Sequence, residues 1–189
     1  MADTFQSEGV RIEYQARGLR TSIKIEGLNQ LRIAMQELPL NIQNRVLSGA
    51  VRQAALLIRD AARKLAPELN ISNYPLSILK RRTPGLLRNM IRATRGIRRA
   101  TEASAFVTVR RLSKKAITKF KAMTGRAGAE NPNDPFYWSI LEFGKSTRTA
   151  HPFLRPAFDT TKEAAAMRIK EALKEGIERE VAKLRKFKA

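Results

Sequence analysis

NIQNRVLSGAVRQAALLIRDAARKL, residues 41–65, is the clearest element of this 189-residue chain. Ile42, Val46, Ala50, Ala54, Leu57, Ile58, Ala61 and Leu65 recur at steps of three and four, while Arg45, Arg52, Arg59 and Arg63 fall on other faces. This spacing predicts an amphipathic helix, and Pro67 marks its end because its ring and missing N–H oppose continuation. The alanines let another element approach closely, so the helix is expected to lie across a sheet.

Upstream, LNQLRIAMQEL sets Leu28, Leu31, Met35 and Leu38 at helical spacing and stops at Pro39. Residues 11–25 read as one or two short strands, with Val10, Ile12, Tyr14 and then Leu19, Ile23, Ile25 roughly alternating around Gly18. Downstream, residues 68–84 carry Asn70, Ser72, Asn73 and prolines and read as a loop, followed by a short apolar turn, GLLRNMI. ASAFVTV, residues 103–109, is the best strand of the second half, and GRAGAENPND reads as a surface loop. A last helix is expected from about Pro156 to Lys186, with the stripe Ala165, Ile169, Leu173, Ile177, Val181 and Leu184. The order β-α-α-β-(β)-α predicts an α+β fold: a small antiparallel sheet packed against a long amphipathic helix, with a long C-terminal helix. Residues 1–189 are read as one domain, carrying a basic insert or extended loop at about 110–134.

Charge is the unusual property. The formal net charge is +20, and between Lys80 and Arg126 fifteen Lys or Arg face one acid, Glu102, giving +14 of that total. Such a chain is drawn to polyanions, whether nucleic acid, anionic lipid or an acidic protein. No apolar run approaches the about 20 residues of a membrane helix, and MADTFQSEGV lacks the pattern of a secretory signal. Absence of cysteine excludes disulfides and thiolate metal sites and fits a reducing cytoplasm.

Few residues point to catalysis. His151 is the only histidine, so no histidine dyad or multi-histidine metal site can form within one chain, and Pro152 biases it to extended structure. Glu142 lies among Ile140, Leu141 and Phe143, a setting that could raise a carboxylate pKa. No second carboxylate stands nearby to share acid–base work, however, and Arg148 or Arg155 is the more natural partner. Gly125 and Gly128 lack the preceding strand and following helix of a phosphate-binding loop. The chain is therefore read as no enzyme, with no cofactor and no metal. The basic segment is better suited to nucleic acid, with Arg98, Arg99, Arg110, Arg111, Lys114, Lys115, Lys119 and Lys121 as contact candidates for DNA or an acidic partner. Phe106 and Phe120 are the only aromatics between Lys80 and Arg126, so no base-stacking platform is evident. The C-terminal helix mixes Glu with Lys and suits an anionic bilayer poorly.

FYWSILEFGKSTRTAHPFLRPAFD, residues 136–159, holds the only tryptophan and the only histidine. It reads as strand, turn, anchor, helix: Phe136–Phe143 as a buried or partner-covered strand, Gly144 as a turn, and HPFLRP as an extended lead-in anchored by Phe153 and Leu154. Pro156 suits the first turn of the helix, where a missing N–H costs nothing. Tyr137, Trp138, Glu142, Phe143, Gly144, Pro152, Phe153, Arg155 and Pro156 are candidates for a subunit or partner interface, with Glu142 and Arg155 a candidate ion pair fixing the turn, within or between subunits.

This stretch is similar to the signature "Y....EFGT....PF.RPA" of the tail-component family of long-tailed bacteriophages typified by phage Hong Kong 97. Tyr137, Glu142, Phe143, Gly144, Pro152, Phe153, Arg155, Pro156 and Ala157 carry it, and Lys145 stands where the signature usually has Thr. The resemblance covers most of the chain. SIKIEGLNQLRIAMQELP resembles the family's opening strand, helix and proline, and VRQAALLIRDAARKLAP its alanine-rich helix. TPGLLRNMI resembles "TG.L..SI", with Pro84 as a departure, and ASAFVTV the strand after it. The resemblance implies a structural virion protein of the head–tail junction that completes or terminates the tail tube. It implies a homo-oligomeric ring around the DNA channel, with a hexamer expected. The implied partners are the tail tube protein and a head connector or stopper protein, with non-specific contact to channel DNA and no membrane. The extra residues 1–19 and the basic segment around Arg110–Arg126 depart from the family and leave open terminator, completion factor or another neck component. The rival reading is a free, non-specific nucleic-acid-binding protein.

Overall fold

Pro39 divides the first helix pair. Helix α1 runs Asn29–Gln36 and α2 runs Leu40–Leu65. Lacking an N–H, Pro39 cannot extend α1, but its carbonyl accepts from Ile42 N (2.9 Å) and Gln43 N (3.0 Å) and so opens α2. The structure, a computed structural model, describes residues 13–16, 19–22, 29–67, 83–98, 102–146 and 149–188. The loop expected at 68–84 lies mostly outside the described residues, as do Val10, Ile12, Ile23 and Ile25.

The remaining elements are strands β1 (Glu13–Ala16), β2 (Leu19–Ser22), β3 (Ile91–Arg98) and β4 (Ala103–Val109), and helices α3 (Leu86–Met90), α4 (Lys114–Thr124), α5 (Trp138–Phe143) and α6 (Leu154–Lys188). A 3-10 turn spans Gly128–Glu130. The fold is α+β, with a small sheet packed against the long α2 and a long C-terminal helix α6. Strand order is β2-β1-β4-β3. β1 pairs antiparallel with β2 in the register Tyr14↔Thr21, whereas its bridge to β4, Glu13↔Phe106, is parallel, so the sheet is mixed at that point.

The chain forms two compact units. The first comprises Met1–Ile58, Ala93–Val107 and Thr160–Ala189. In it, Val46, Leu47, Ala50, Val51, Ala54, Ala55 and Ile58 of α2 are buried, as are Ala103, Ala105 and Val107 of β4 and Ala165, Ile169, Ala172, Leu173 and Ile177 of α6. Burying each larger aliphatic contributes about 1.5–3 kcal/mol relative to leaving it exposed. The expected stripes are corrected in two places. The α2 face runs through Leu47, Val51, Ala54, Ile58 and Ala62, leaving Leu57 and Leu65 exposed; Leu184 of α6 is also exposed. Leu57 and Ile58 are neighbours of equal hydrophobicity, and only the line of small alanines selects the second.

The second unit comprises Arg59–Arg92 and Thr108–Asp159. Its buried side chains include Ala62, Leu86, Leu87, Ile91, Val109, Leu141, Phe153, Leu154 and Phe158. Arg63 donates from Nη2 (2.9 Å) and Nε (3.3 Å) to the Ile91 carbonyl, where α3 gives way to β3. Three expectations are corrected here. GLLRNMI contains a helix rather than a turn, and β3 was hidden by the arginines interrupting its alternation. The stretch expected at about 110–134 as a basic insert or extended loop is not all loop, since it contains α4. The expected strand Phe136–Phe143 is helical: Trp138 N donates to Pro135 O (3.0 Å), Leu141 N to Tyr137 O (3.1 Å) and Gly144 N to Ile140 O (2.8 Å). A six-residue helix with Leu141 and Glu142 buried and its other residues half-buried is too short to show a period that separates it from a strand.

Two helical glycines of the first unit make a contrast. A Cβ on Gly176 would sit 2.7 Å from Val46 Cγ1, whereas one on Gly49 would meet nothing within 4 Å. Gly49→Ala is expected to stabilise by about 0.5–1 kcal/mol through helix propensity. Gly176→Ala should instead cost about 1 kcal/mol, the overpacking penalty outweighing the same gain. Urea titrations check both signs.

Also in this unit, Glu180 of α6 is buried and accepts from Lys183 Nζ (3.0 Å) and from Arg45 Nη2 of α2. The Lys183 hydrogen bond first, and then the charge of Arg45, hold its pKa below the usual glutamate value. A carboxylate depressed on folding stabilises above its unfolded pKa, about 4.3, and loses that contribution as pH falls through the lower folded value. The stability gap between the protein and Glu180→Gln is therefore expected to be full at neutral pH and to shrink below about pH 4. Chemical denaturation across pH measures it, and a pH-independent gap would contradict the assignment.

Candidate functional site

Glu142 is the centre of the Phe136–Asp159 stretch. It lies at the end of α5 with 0% exposure. Oε2 accepts from Phe153 N (2.8 Å) and Leu154 N (2.9 Å), and Oε1 accepts from Arg155 N (3.0 Å) and Arg155 Nε (3.3 Å). Arg155 Nη2 returns a bond to the Glu142 carbonyl (2.8 Å), and its Cζ stands 5.3 Å from the Phe143 ring centroid. The Glu142–Arg155 ion pair therefore forms within one chain, and it sits on the N-terminus of α6.

A helix begins with amide groups that have no intrahelical partner. In α6 these belong to Phe153, Leu154 and Arg155, all held by Glu142. Pro156 has no N–H, and Ala157 N already reaches Phe153 O (3.3 Å). The carboxylate also answers the positive end of the helix dipole, which no acidic residue of the helix's own first turn does. Gly144 ends α5 at φ 71°, ψ −174°, a conformation disfavoured for residues with a Cβ. His151 N donates to Leu141 O (2.7 Å), closing the loop back onto α5.

The interface candidates separate by exposure. Tyr137, Glu142 and Phe153 are buried, Trp138, Phe143, Gly144, Arg155 and Pro156 are half-buried, and Pro152 is exposed. The structure unites Glu142, Phe153 and Arg155 in one cluster and gives Tyr137 an edge-on ring contact with Phe136 (6.0 Å).

The basic candidates gather around α4. Ser113 caps the helix by accepting from Ala116 N (3.2 Å), and Gly125 closes it. Arg110, Arg111, Lys114, Lys115, Lys119 and Lys121 are exposed. Arg111 is drawn to Asp134, whose Oδ2 accepts from Nη2 at 3.2 Å. The sequence reading missed Asp134. Its signal was an acid directly before Pro135 in a stretch otherwise read as solvated, and it is fully buried. Of the other two candidates, Arg98 lies in β3 and Arg99 lies outside the described residues. Lys114 and Lys115 stand at the positive end of the α4 dipole, each unfavourable by about 0.3–1 kcal/mol at low ionic strength. Those lysines do not serve the stability of the helix.

Among the described residues, no group of three or more His, Cys, Asp or Glu is arranged to hold a metal ion, and no helix is long and apolar enough to cross a membrane. The fold and site define an α+β protein with a buried helix-capping cluster in the Phe136–Asp159 stretch and a cationic helix, α4. Compared with known proteins, the chain matches no family model, no curated protein and no solved structure.

Removing Glu142 strands two buried amides, a part-buried one and an arginine. Glu142→Ala is expected to cost about 3–5 kcal/mol, whereas Arg155→Ala, which leaves the backbone donors holding the carboxylate, should cost about 1–2 kcal/mol. Glu142→Gln should fall between them, since its NH2 would oppose N–H donors. Equal losses for Glu142→Ala and Arg155→Ala in urea unfolding would refute the capping role.

Proposed function

We propose that this chain is a structural, non-enzymatic protein of the head–tail junction of a long-tailed bacteriophage virion. In this reading it completes or terminates the tail tube and joins it to the head connector or stopper. It assembles in the host cytoplasm as a homo-oligomeric ring, with a hexamer expected, around the DNA channel. The observation that carries the reading is the convergence of signature positions on one closed set of hydrogen bonds. Glu142, Phe153 and Arg155 meet in the buried cap of α6, and the missing N–H of Pro156 leaves that cap complete. A stretch used this way is a rigid corner suited to presenting Trp138 and Pro152 to a neighbour. Head-to-tail contacts between such corners about an axis would close a ring through a heterologous interface.

The alternative, a free non-specific nucleic-acid-binding protein, is favoured by one observation, the exposed lysines of α4. Electron microscopy of tails assembled with the protein separates the two. Ring density at the head-proximal end of the tube is the expected result. Tails without that density, with the protein recovered on DNA from the lysate, would favour the alternative.

A further inference from the structure

Between Arg110 and Arg126 the chain carries seven cations and no acid. Among the described residues, only one of the seven has a charged partner: Arg111, held by buried Asp134. The other six are exposed. Four of them, Lys114, Lys115, Lys119 and Lys121, belong to α4.

The helix sorts its residues by side. With about 3.6 residues per turn, Lys114, Lys115, Lys119 and Lys121 share one side with Thr118 and Ala122, and Ala116, Ile117, Phe120 and Met123 share the other. The apolar side is partly used. Ile117 lies so close to Gly128 that a Cβ there would be 2.5 Å from Ile117 Cγ2. Ala116 and Phe120 are half-buried, leaving Met123 (74% exposed) as the one fully exposed large apolar side chain of α4. Helix and turn thus hold the lysine side toward solvent, and the Arg111–Asp134 pair braces the chain just before it.

We propose that the lysine side of α4, flanked in sequence by Arg110 and Arg126, binds the phosphate backbone of duplex DNA without reading its sequence. Lysine is a compact charge on a flexible stem, suited to phosphates at variable positions. The four span about 10 Å along the helix at about 1.5 Å per residue, enough to meet more than one phosphate of a strand. Reading adenine or cytosine would call for Asn, Gln or a carboxylate, and the exposed side of α4 offers none; lysine can bond guanine, so duplexes of two base compositions test for that preference. An acidic protein partner would be met by arginine and aromatic anchors, but the exposed side of α4 itself carries only lysines as cations, and Phe120 faces the other way. A bilayer would need more apolar area than Met123 provides. Arg111 is accordingly a positioning residue rather than a contact.

The proposal rests on the junction reading, which brings the chain beside the DNA channel, but it is tested separately. Binding of the full chain to fluorescent duplexes of two base compositions is measured by anisotropy across salt concentrations. One variant carries Lys114, Lys115, Lys119 and Lys121 as Gln. A charge-matched variant carries Lys162, Lys170, Lys174 and Arg185 of α6, also exposed, as Gln. The α4 variant should bind more than tenfold more weakly, with a plot of log affinity against log salt shallower by about 3–4. The α6 variant should change that slope by less than about 1, and the two duplexes should bind alike. Equal losses from the two variants would overturn the proposal and attribute binding to net charge. So would an α4 variant that kept its DNA affinity but lost binding to phosphatidylserine vesicles. Either result, with ring density still at the tail end, would remove the DNA contact and leave the junction reading intact. Intact α4-dependent binding with tails lacking the protein would do the reverse.

Discussion

A carboxylate withdrawn from water persists as a charge only when its oxygens find donors inside the protein. Glu142 finds four: the amides of Phe153, Leu154 and Arg155, and the Arg155 guanidinium. The same bonds relieve the opposite problem at the start of α6, whose first amides would otherwise be buried without acceptors. Two groups costly to bury separately become favourable together. The arrangement also sets geometry, because a carboxylate spanning three successive amides fixes the direction in which the helix leaves the loop.

That constraint explains why residues 136–143 are not a strand. For Glu142 to reach the start of α6, the chain must reverse within the loop from Gly144 to Pro152, whose ends are tied by His151 N to Leu141 O. A helical turn presents Glu142 toward that loop and sends Leu141 into the core, while Gly144 takes a backbone conformation closed to other residues. Phe143 then lies where Arg155 can stack over it. Of the aromatic residues of the stretch, Phe143 and Phe153 border this polar centre.

Much of this was legible in the sequence. The two long helices announced themselves by their stripes and by Pro39 and Pro67, and β4 by the alternation of ASAFVTV. Arg148 or Arg155 reads from the sequence as a cation for Glu142, and Arg155 forms that pair. What escaped depends on contacts between residues far apart in sequence. The three backbone donors of Glu142 come from a segment more than ten positions away, and no local period encodes them. Asp134 looked like an ordinary turn residue until Arg111 met it. The arginines of β3 disguised its alternation, and Leu57 and Ile58, adjacent and both aliphatic, are separated only by burial in the fold.

The α4 segment breaks a local rule, and among the described residues no acid pairs with its lysines. Its cap, Ser113, and its closing glycine are those of an ordinary stable helix, yet its first two residues are lysines set against the helix dipole. Sequences selected for folding alone tend to agree across levels, and local conflicts concentrate where function is at stake. Glu142 and Lys114 make the contrast plain: both are charges at a helix N-terminus, one of the sign the dipole favours and one of the opposite sign. The first is buried and consumed by the fold. The second is exposed, unpaired among the described residues and accompanied by three like charges on one side of the helix. An external anion would relieve both the mutual repulsion of these lysines and their conflict with the dipole. The charge that weakens α4 in isolation is therefore the charge that would hold it against a phosphate backbone.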